Sequence, residues 1–424
     1  MQEQLLPFLY RLALTPDKKD ESLIRDYKRM QDELKKIANE NKMLVPILQL
    51  EETMGLHNEF TERVRIRAAQ DALFAEVAKI LNENGVTYIH IKGNAMKNLY
   101  PENCFRQMGD YDMVVSSIDE FWRLITLIET LGFDYQNAPS IGEFNGEVVG
   151  VAGFYKKIDE TCMLELEVSV GSFTMGFTSW LTGDFWGEAR TTEVNGVPVP
   201  IPSAEDMILI LTGESVGNNI FRLRDAVDLH LQLQAPDLDF EKLHTRLKRH
   251  HLDMEFYLLV QYYEQVSGQK SNIPGFMLEG FSNRLFSKQS LFGKQSELRK
   301  KLYHYIPYNA DHDGLFKALL LEVLNVYRNK LTFWTVRRKN LKLVRTLEKV
   351  FPPFARYKLR ILAHLIPVPS GTPGAYAWIR LRGKMVVRTP IGWYVASCFG
   401  LETREELLEI DATIAEHCAT YSGE

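Results

Sequence analysis

Between residues 60 and 81, apolar side chains recur at helical spacing, at Val64, Leu73, Phe74, Val77, Ile80 and Leu81, and Gly85 stands where such a helix would stop. The stretch VTYIHIK that follows predicts a strand, and a short helix, NAMKNLY, is closed by Pro101. GDYDMVVS then alternates as a second strand. Ser117 and Glu120 form a capping box ahead of an amphipathic helix ending at Gly132. Two further strands are expected around EVVGVAGFYKK and TCMLELEVSVG. This order predicts a compact unit of strands and helices over residues 58–200.

On either side the pattern is helical. Residues 1–57 carry Leu23, Ile24, Met30, Leu34 and Ile37 on otherwise polar helices, expected to lie on the surface of the next unit. Ser203, with Asp206 three residues on, opens a helical domain over residues 201–300. Residues 301–424 are expected as a basic helical region, with a Pro/Gly-rich break, IPVPSGTPGAYAW, before a last helix, TREELLEIDATIAEHC. The predicted fold class is α+β: a mixed sheet with helices, plus helical N-terminal and C-terminal regions.

At 424 residues the chain exceeds what one core usually supports. It has no apolar run long enough to span a bilayer, and its N-terminal segment lacks a basic leader and cleavage site, so a cytoplasmic protein without transmembrane association is expected. The four cysteines share no CxxC spacing and read as reduced thiols. The net charge of −5 hides a basic segment: residues 328–388 hold fifteen Lys or Arg and one acid, Glu348. An anionic partner is a possible reading of that segment, and aromatics packed inward with solvated cations is the plainer one.

The chemistry concentrates in YIHIKGNAMKNLYPENCFRQMGDYDMVV. Asp110 and Asp112 alternate along a strand and therefore share a face, where their mutual repulsion would be relieved by a divalent cation. Glu165 and Glu167 likewise share a face of a later strand, and either could supply a third carboxylate. Gly93 would let backbone amides approach phosphate, and Lys92 and Arg106 could neutralise it. A DxD is ordinary in a chain of this length; the sequence strand, Gly, short helix, DxD and later acidic strand is less so. NADHDG, residues 309–314, imitates a calcium loop but has Leu320 where a bidentate Glu is needed. Arg224 and Asp228 are one helical turn apart, as a local ion pair would be. P-loop, nucleophile-elbow and HExxH motifs are absent.

Lys92, Gly93, Tyr100, Pro101, Arg106, Gly109, Asp110 and Asp112 follow in order a pattern K-G, Y-P, R-x-x-G-D-x-D. The stretch thus resembles the uncharacterised nucleotidyltransferase family of the DNA polymerase β-like nucleotidyltransferase superfamily, over about residues 60–235. The resemblance implies a polymerase β-like core that moves a nucleoside monophosphate, AMP from ATP most simply, onto an acceptor with Mg²⁺ or Mn²⁺. It implies Asp110, Asp112 and Glu165 as metal ligands, with Glu165 also helping to activate the acceptor. Lys92, Gly93, Asn94, Arg106 and Gly109 would bind the nucleotide, with Arg224 flanking the cleft. Two departures stand out: Asn94 replaces the usual Gly or Ser, and Glu165-Leu166-Glu167 replaces an Asp, an apolar residue and His. A catalytically inactive nucleotide-binding protein and a transferase acting on RNA are the alternatives.

Overall fold

The computed structural model describes residues 2–14, 21–56, 59–101, 106–144, 147–171, 183–218, 221–279, 314–316, 318–320, 323, 363–397 and 402–421. Residues 309–313 of the calcium-loop imitation and the basic stretch from 328 to 362 lie outside the described residues.

The expected long helix is α4, Glu59–Glu83, following α1, Gln2–Leu14, α2, Glu21–Glu40, and α3, Leu44–Thr53. Gly85 ends α4 with φ +64, and the Val86 amide reaches back to the Leu81 carbonyl at 3.0 Å. Next come β1, Tyr88–Ile91, a short 3-10 helix, Asn94–Leu99, and β2, Tyr111–Val115. Helix α5, Ile118–Thr130, starts at Ser117, whose hydroxyl accepts the Glu120 amide at 3.2 Å. Glu120 turns instead to the Thr87 amide, 3.2 Å away, so half of the expected capping box ties α5 to β1.

Strands β3, Asp134–Phe144, β4, Glu147–Lys157, and β5, Met163–Val170, follow. A short helix α6, Gly183–Gly187, leads to the hairpin β6, Arg190–Val194, and β7, Val197–Ile201. Helices α7, Ala204–Asn218, α8, Leu223–Gln232, α9, Phe240–Arg249, and α10, Asp253–Ser267, complete the expected helical run.

The tail differs from the helical region expected. Residues 363–397 form four strands, β8, Ala363–Val368, β9, Ala377–Leu381, β10, Lys384–Thr389, and β11, Gly392–Ser397. The basic count hid short apolar runs: Val386 and Val387 of β10 and Trp393, Tyr394, Val395 and Ala396 of β11 are buried. The last helix, α11, Arg404–Tyr421, is found as expected and lays Ile410 and Ile414 against Val368, Val386, Trp393 and Val395.

These strands extend the main sheet, whose order is β1-β2-β5-β4-β3-β8-β11-β10-β9. All neighbouring pairs are antiparallel except β2 with β5. Side chains alternate across it. Tyr88, Tyr111, Met113 and Val115 join the core beneath α4 and α5, while Ile89, Ile91 and Val114 join that of α1, α3 and α7 to α10. Leu5, Leu6, Leu9 and Leu12 of α1 are buried in this second core. The N-terminal helices, expected on the surface of the 58–200 unit, therefore share a core with the helical unit, because their apolar stripes are matched by those of α8 and α10. Among the described residues, no helix is long and apolar enough to cross a membrane.

Candidate active site

The sheet face bearing Ile89, Ile91 and Val114 also carries Asp112. In β1 and β2, Ile91 is the partner of Asp112, and the chain leaves β1 through Lys92 in the left-handed region, φ +58. A non-glycine residue is uncommon there, though Lys42, Asn195, His251 and Arg382 share the region. Gly93, next, has an ordinary right-handed φ of −50. Its need for glycine is steric: a Cβ would fall 2.8 Å from Arg106 Nη1 and 2.9 Å from Met108 Cγ and Sδ. The room expected for phosphate at Gly93 is thus taken up by these two side chains. Asn94 opens a 3-10 helix of only six residues, which offers little dipole to an anion.

The left-handed turn carries Lys92 into a group of carboxylates. Its Nζ lies 2.8 Å from Asp112 Oδ1, 3.2 Å from Glu214 Oε1 and 3.9 Å from Glu167 Oε1. The three acids come from β2, α7 and β5, so sheet and helical unit meet here. Burial pushes the Asp112 carboxyl up to about 7, with Asp110, Glu167 and Glu214 adding to the rise and Lys92 opposing it. Burial also raises Glu167, again against Lys92. For Lys92 itself, burial is outweighed by Asp112, Glu214 and Glu167, which hold the ammonium well above its usual range. Glu214 is held below its ordinary value because Lys92, Arg224 and Arg106 outweigh its burial.

The parallel pairing of β2 on β5 sets Asp112 directly against Glu167. Continuing that register by one residue puts Asp110, exposed just before β2, opposite Glu165. The four acids therefore form two rungs on one face, of which the Asp112–Glu167 rung lies beside Lys92. Glu165, half-buried and paired across the sheet with Tyr155, belongs to the outer rung. Gly109 is exposed in the bend ahead of it. Among the described residues, no three acidic, cysteine or histidine side chains converge tightly enough to cage a metal unaided. The donors nonetheless fit Mg²⁺ or Mn²⁺ as a substrate-bridged ion, since Mg²⁺ takes one or two carboxylates and completes its shell with water and phosphate oxygens.

Arg106 was expected to meet phosphate, and the structure corrects this. Its Nε lies 3.0 Å from both carboxylate oxygens of Asp228 and its Nη2 2.8 Å from Oδ2, while the Tyr100 hydroxyl donates to Oδ1 at 2.7 Å. The Arg106 and Asp228 side chains are 5% and 0% exposed, so the guanidinium is committed to an internal pair. Asp228 is consequently not the partner of Arg224. Arg224 instead donates to the Gln107 carbonyl at 3.5 Å and approaches Asp225 at 3.8 Å. The functional candidate that sequence reasoning missed is Glu214. It sits in the apolar helix ILILTGESVG, where an acid on a buried face was the available signal.

The family described as uncharacterised nucleotidyltransferase matches residues 31–268, more than half of the chain. An antigenic nucleotidyltransferase-like protein from Paracoccidioides brasiliensis is similar at 18% identity over 44% of this chain and 91% of its own, with a TM-score of 0.28. JHP933 from Helicobacter pylori is similar at 14% identity over 50% of this chain and 91% of its own, also with a TM-score of 0.28. No curated protein matches the chain.

Proposed function

Because the chain belongs to the uncharacterised nucleotidyltransferase family, we propose that it moves a nucleoside monophosphate, most simply AMP from ATP, onto a hydroxyl or other nucleophile with release of pyrophosphate. The observation that carries this reading is the Asp112–Glu167 rung with Lys92 beside it. Asp112 and Glu167 would hold Mg²⁺ or Mn²⁺, with exposed Asp110 as the further donor. When bound, the ion would neutralise charge on the triphosphate and on the attacking oxygen.

The chain's own groups divide the remaining work. Glu167 is preferred to Glu165 as the third acid because it shares a rung with Asp112. Its raised carboxyl also suits it to accept the proton of the acceptor. Lys92 would meet phosphate charge, and Arg224 of α8 adds positive charge near Glu214. Arg106 supports the turn from beneath through Gly93. The acceptor is a molecule with a free nucleophile whose identity these groups do not specify.

Calorimetric titration of each nucleoside triphosphate with Mg²⁺ or Mn²⁺ tests the reading. Metal-dependent binding to the wild type is expected, and its loss in an Asp110→Asn, Asp112→Asn double variant. Failure of the folded wild type to bind any nucleotide would overturn it. Binding that persists in the double variant would move the metal site elsewhere.

A further inference from the structure

Lys92 occupies the point on which Asp112, Glu167 and Glu214 converge. A divalent cation held by Asp112 and Glu167 would draw on the same two carboxylates, so ammonium and metal compete for their charge. The charges at the rung are also unequal: Asp112 and Glu167 share one ammonium, while Glu214 has Arg224 and Arg106 nearby as well, so the rung itself is left short of positive charge. Resting on the nucleotidyl-transfer reading above, we propose that Lys92 is the resident counter-cation of the Asp112–Glu167 rung and yields to the metal. Glu214 is then the positioning residue that keeps the displaced ammonium partnered.

Two features make the exchange physically reasonable. The backbone holds Lys92 at φ +58, and from there its ammonium reaches Asp112, Glu214 and Glu167, which lie on three different elements. A buried cation stripped of its partner is strongly destabilising, yet Glu214 already lies 3.2 Å from Nζ, on a different element from Asp112. Lys92 can therefore release Asp112 without losing every partner. An incoming triphosphate supplies the negative charge that completes the exchange, so metal alone should bind weakly and metal with nucleotide well.

The test uses Mn²⁺ alone, then Mn²⁺ with a non-hydrolysable ATP analogue, titrated into the full chain by calorimetry. Lys92→Met should bind Mn²⁺ alone about tenfold more tightly than wild type, which corresponds to about 1.4 kcal/mol, and should bind the analogue with Mn²⁺ less tightly. Lys92→Gln serves the same purpose if the Met variant does not fold. A purely structural lysine would lower both affinities, and one dedicated to phosphate would leave Mn²⁺ alone unchanged. Either result overturns the exchange while leaving nucleotide binding by the wild type, and hence the nucleotidyl-transfer reading, intact. Absence of both Mn²⁺ and analogue binding from all the proteins overturns both ideas. For Glu214, the readout is coupling. Glu214→Gln should weaken Mn²⁺ binding in wild type by several-fold more than in Lys92→Met, with rescue by Glu214→Asp. Equal effects in the two backgrounds would remove Glu214 from the mechanism.

Discussion

Two ionic clusters lie on either side of Gly93, and they differ in balance. Around Asp228, one guanidinium meets one carboxylate through three contacts of 3.0 Å or less, a tyrosine hydroxyl supplies a fourth, and both charged side chains are almost wholly buried. Around Asp112, one ammonium serves three carboxylates at 2.8 to 3.9 Å, and Glu167 remains 40% exposed. The first cluster is neutral and satisfied, and so it joins the turn before β2 to α8. In the second, Glu214 also has Arg224 and Arg106 nearby, but the Asp112–Glu167 rung has Lys92 as its paired cation and is open at Glu167, as a cation-binding site must be. Similar residue types therefore carry different tasks, separated by stoichiometry and access.

The comparison breaks most visibly if charge is removed from each cluster in turn. Asp228→Asn leaves Arg106 buried without its anion and should cost about 3–5 kcal/mol, read as a lowered denaturation midpoint with an unchanged slope. Asp112→Asn should cost nothing comparable, because it relieves a surplus of negative charge. If the two substitutions destabilise equally, the distinction between a structural and a binding cluster fails.

A smaller effect sharpens the point at the glycine between them. Gly93→Ala would place a methyl group 2.8 Å from Arg106 Nη1 and 2.9 Å from Met108. Met108 can give way, but Arg106 is pinned by Asp228, so an overpacking cost of about 1–3 kcal/mol is expected. Metal-dependent nucleotide binding should fall with it, since the turn carrying Lys92 shifts. A stable alanine variant with unchanged binding would show that the clusters are mechanically independent.

Much of this was legible in the sequence, and the gaps have physical causes. The helix of Phe74, Val77 and Leu81, the strand of Asp112 and the acidic strand of Glu165 and Glu167 were visible as periodicity, and the site's sheet face followed from alternation. Hairpin β6–β7 was missed although Asn195 and Gly196, both at positive φ, are the usual sign of such a turn. Strands β8 to β11 were missed because they are short and β9 to β11 are not buried in strict alternation, β11 being buried at five successive positions, so no period of two stood out beside the basic count of the region. The roles of Arg106 and Glu214 could not be read locally. Asp228 lies 122 residues from Arg106, and Glu214 reaches Lys92 only when α7 packs on the sheet. A motif names its residues, but their partners depend on tertiary contacts.

The smallest prediction separates the clusters by pH. In the fold the Asp112 carboxyl is raised from 3.8 to about 7, chiefly by burial, whereas in the unfolded chain it ionises near its ordinary value. Between about pH 4 and 7 the native state therefore binds this proton more tightly than the unfolded state. Each unit of rising pH in that window costs the wild type up to about 1.4 kcal/mol. Asp112→Asn has no such proton to lose. Its stability relative to wild type should climb from pH 4.5 to pH 7 and level off above, measured by denaturant melts at four pH values. His90 and His250 change stability in the opposite sense. Burial lowers them to about 3 and about 4, so the fold loses stability as pH falls below the usual histidine range. Taking the difference between variant and wild type cancels both histidines. Arg106 stays charged throughout, so the penalty for Asp228→Asn should persist across the window. A flat difference for Asp112→Asn would mean that Lys92 fully neutralises Asp112, and the contrast between the two clusters would then rest on access alone.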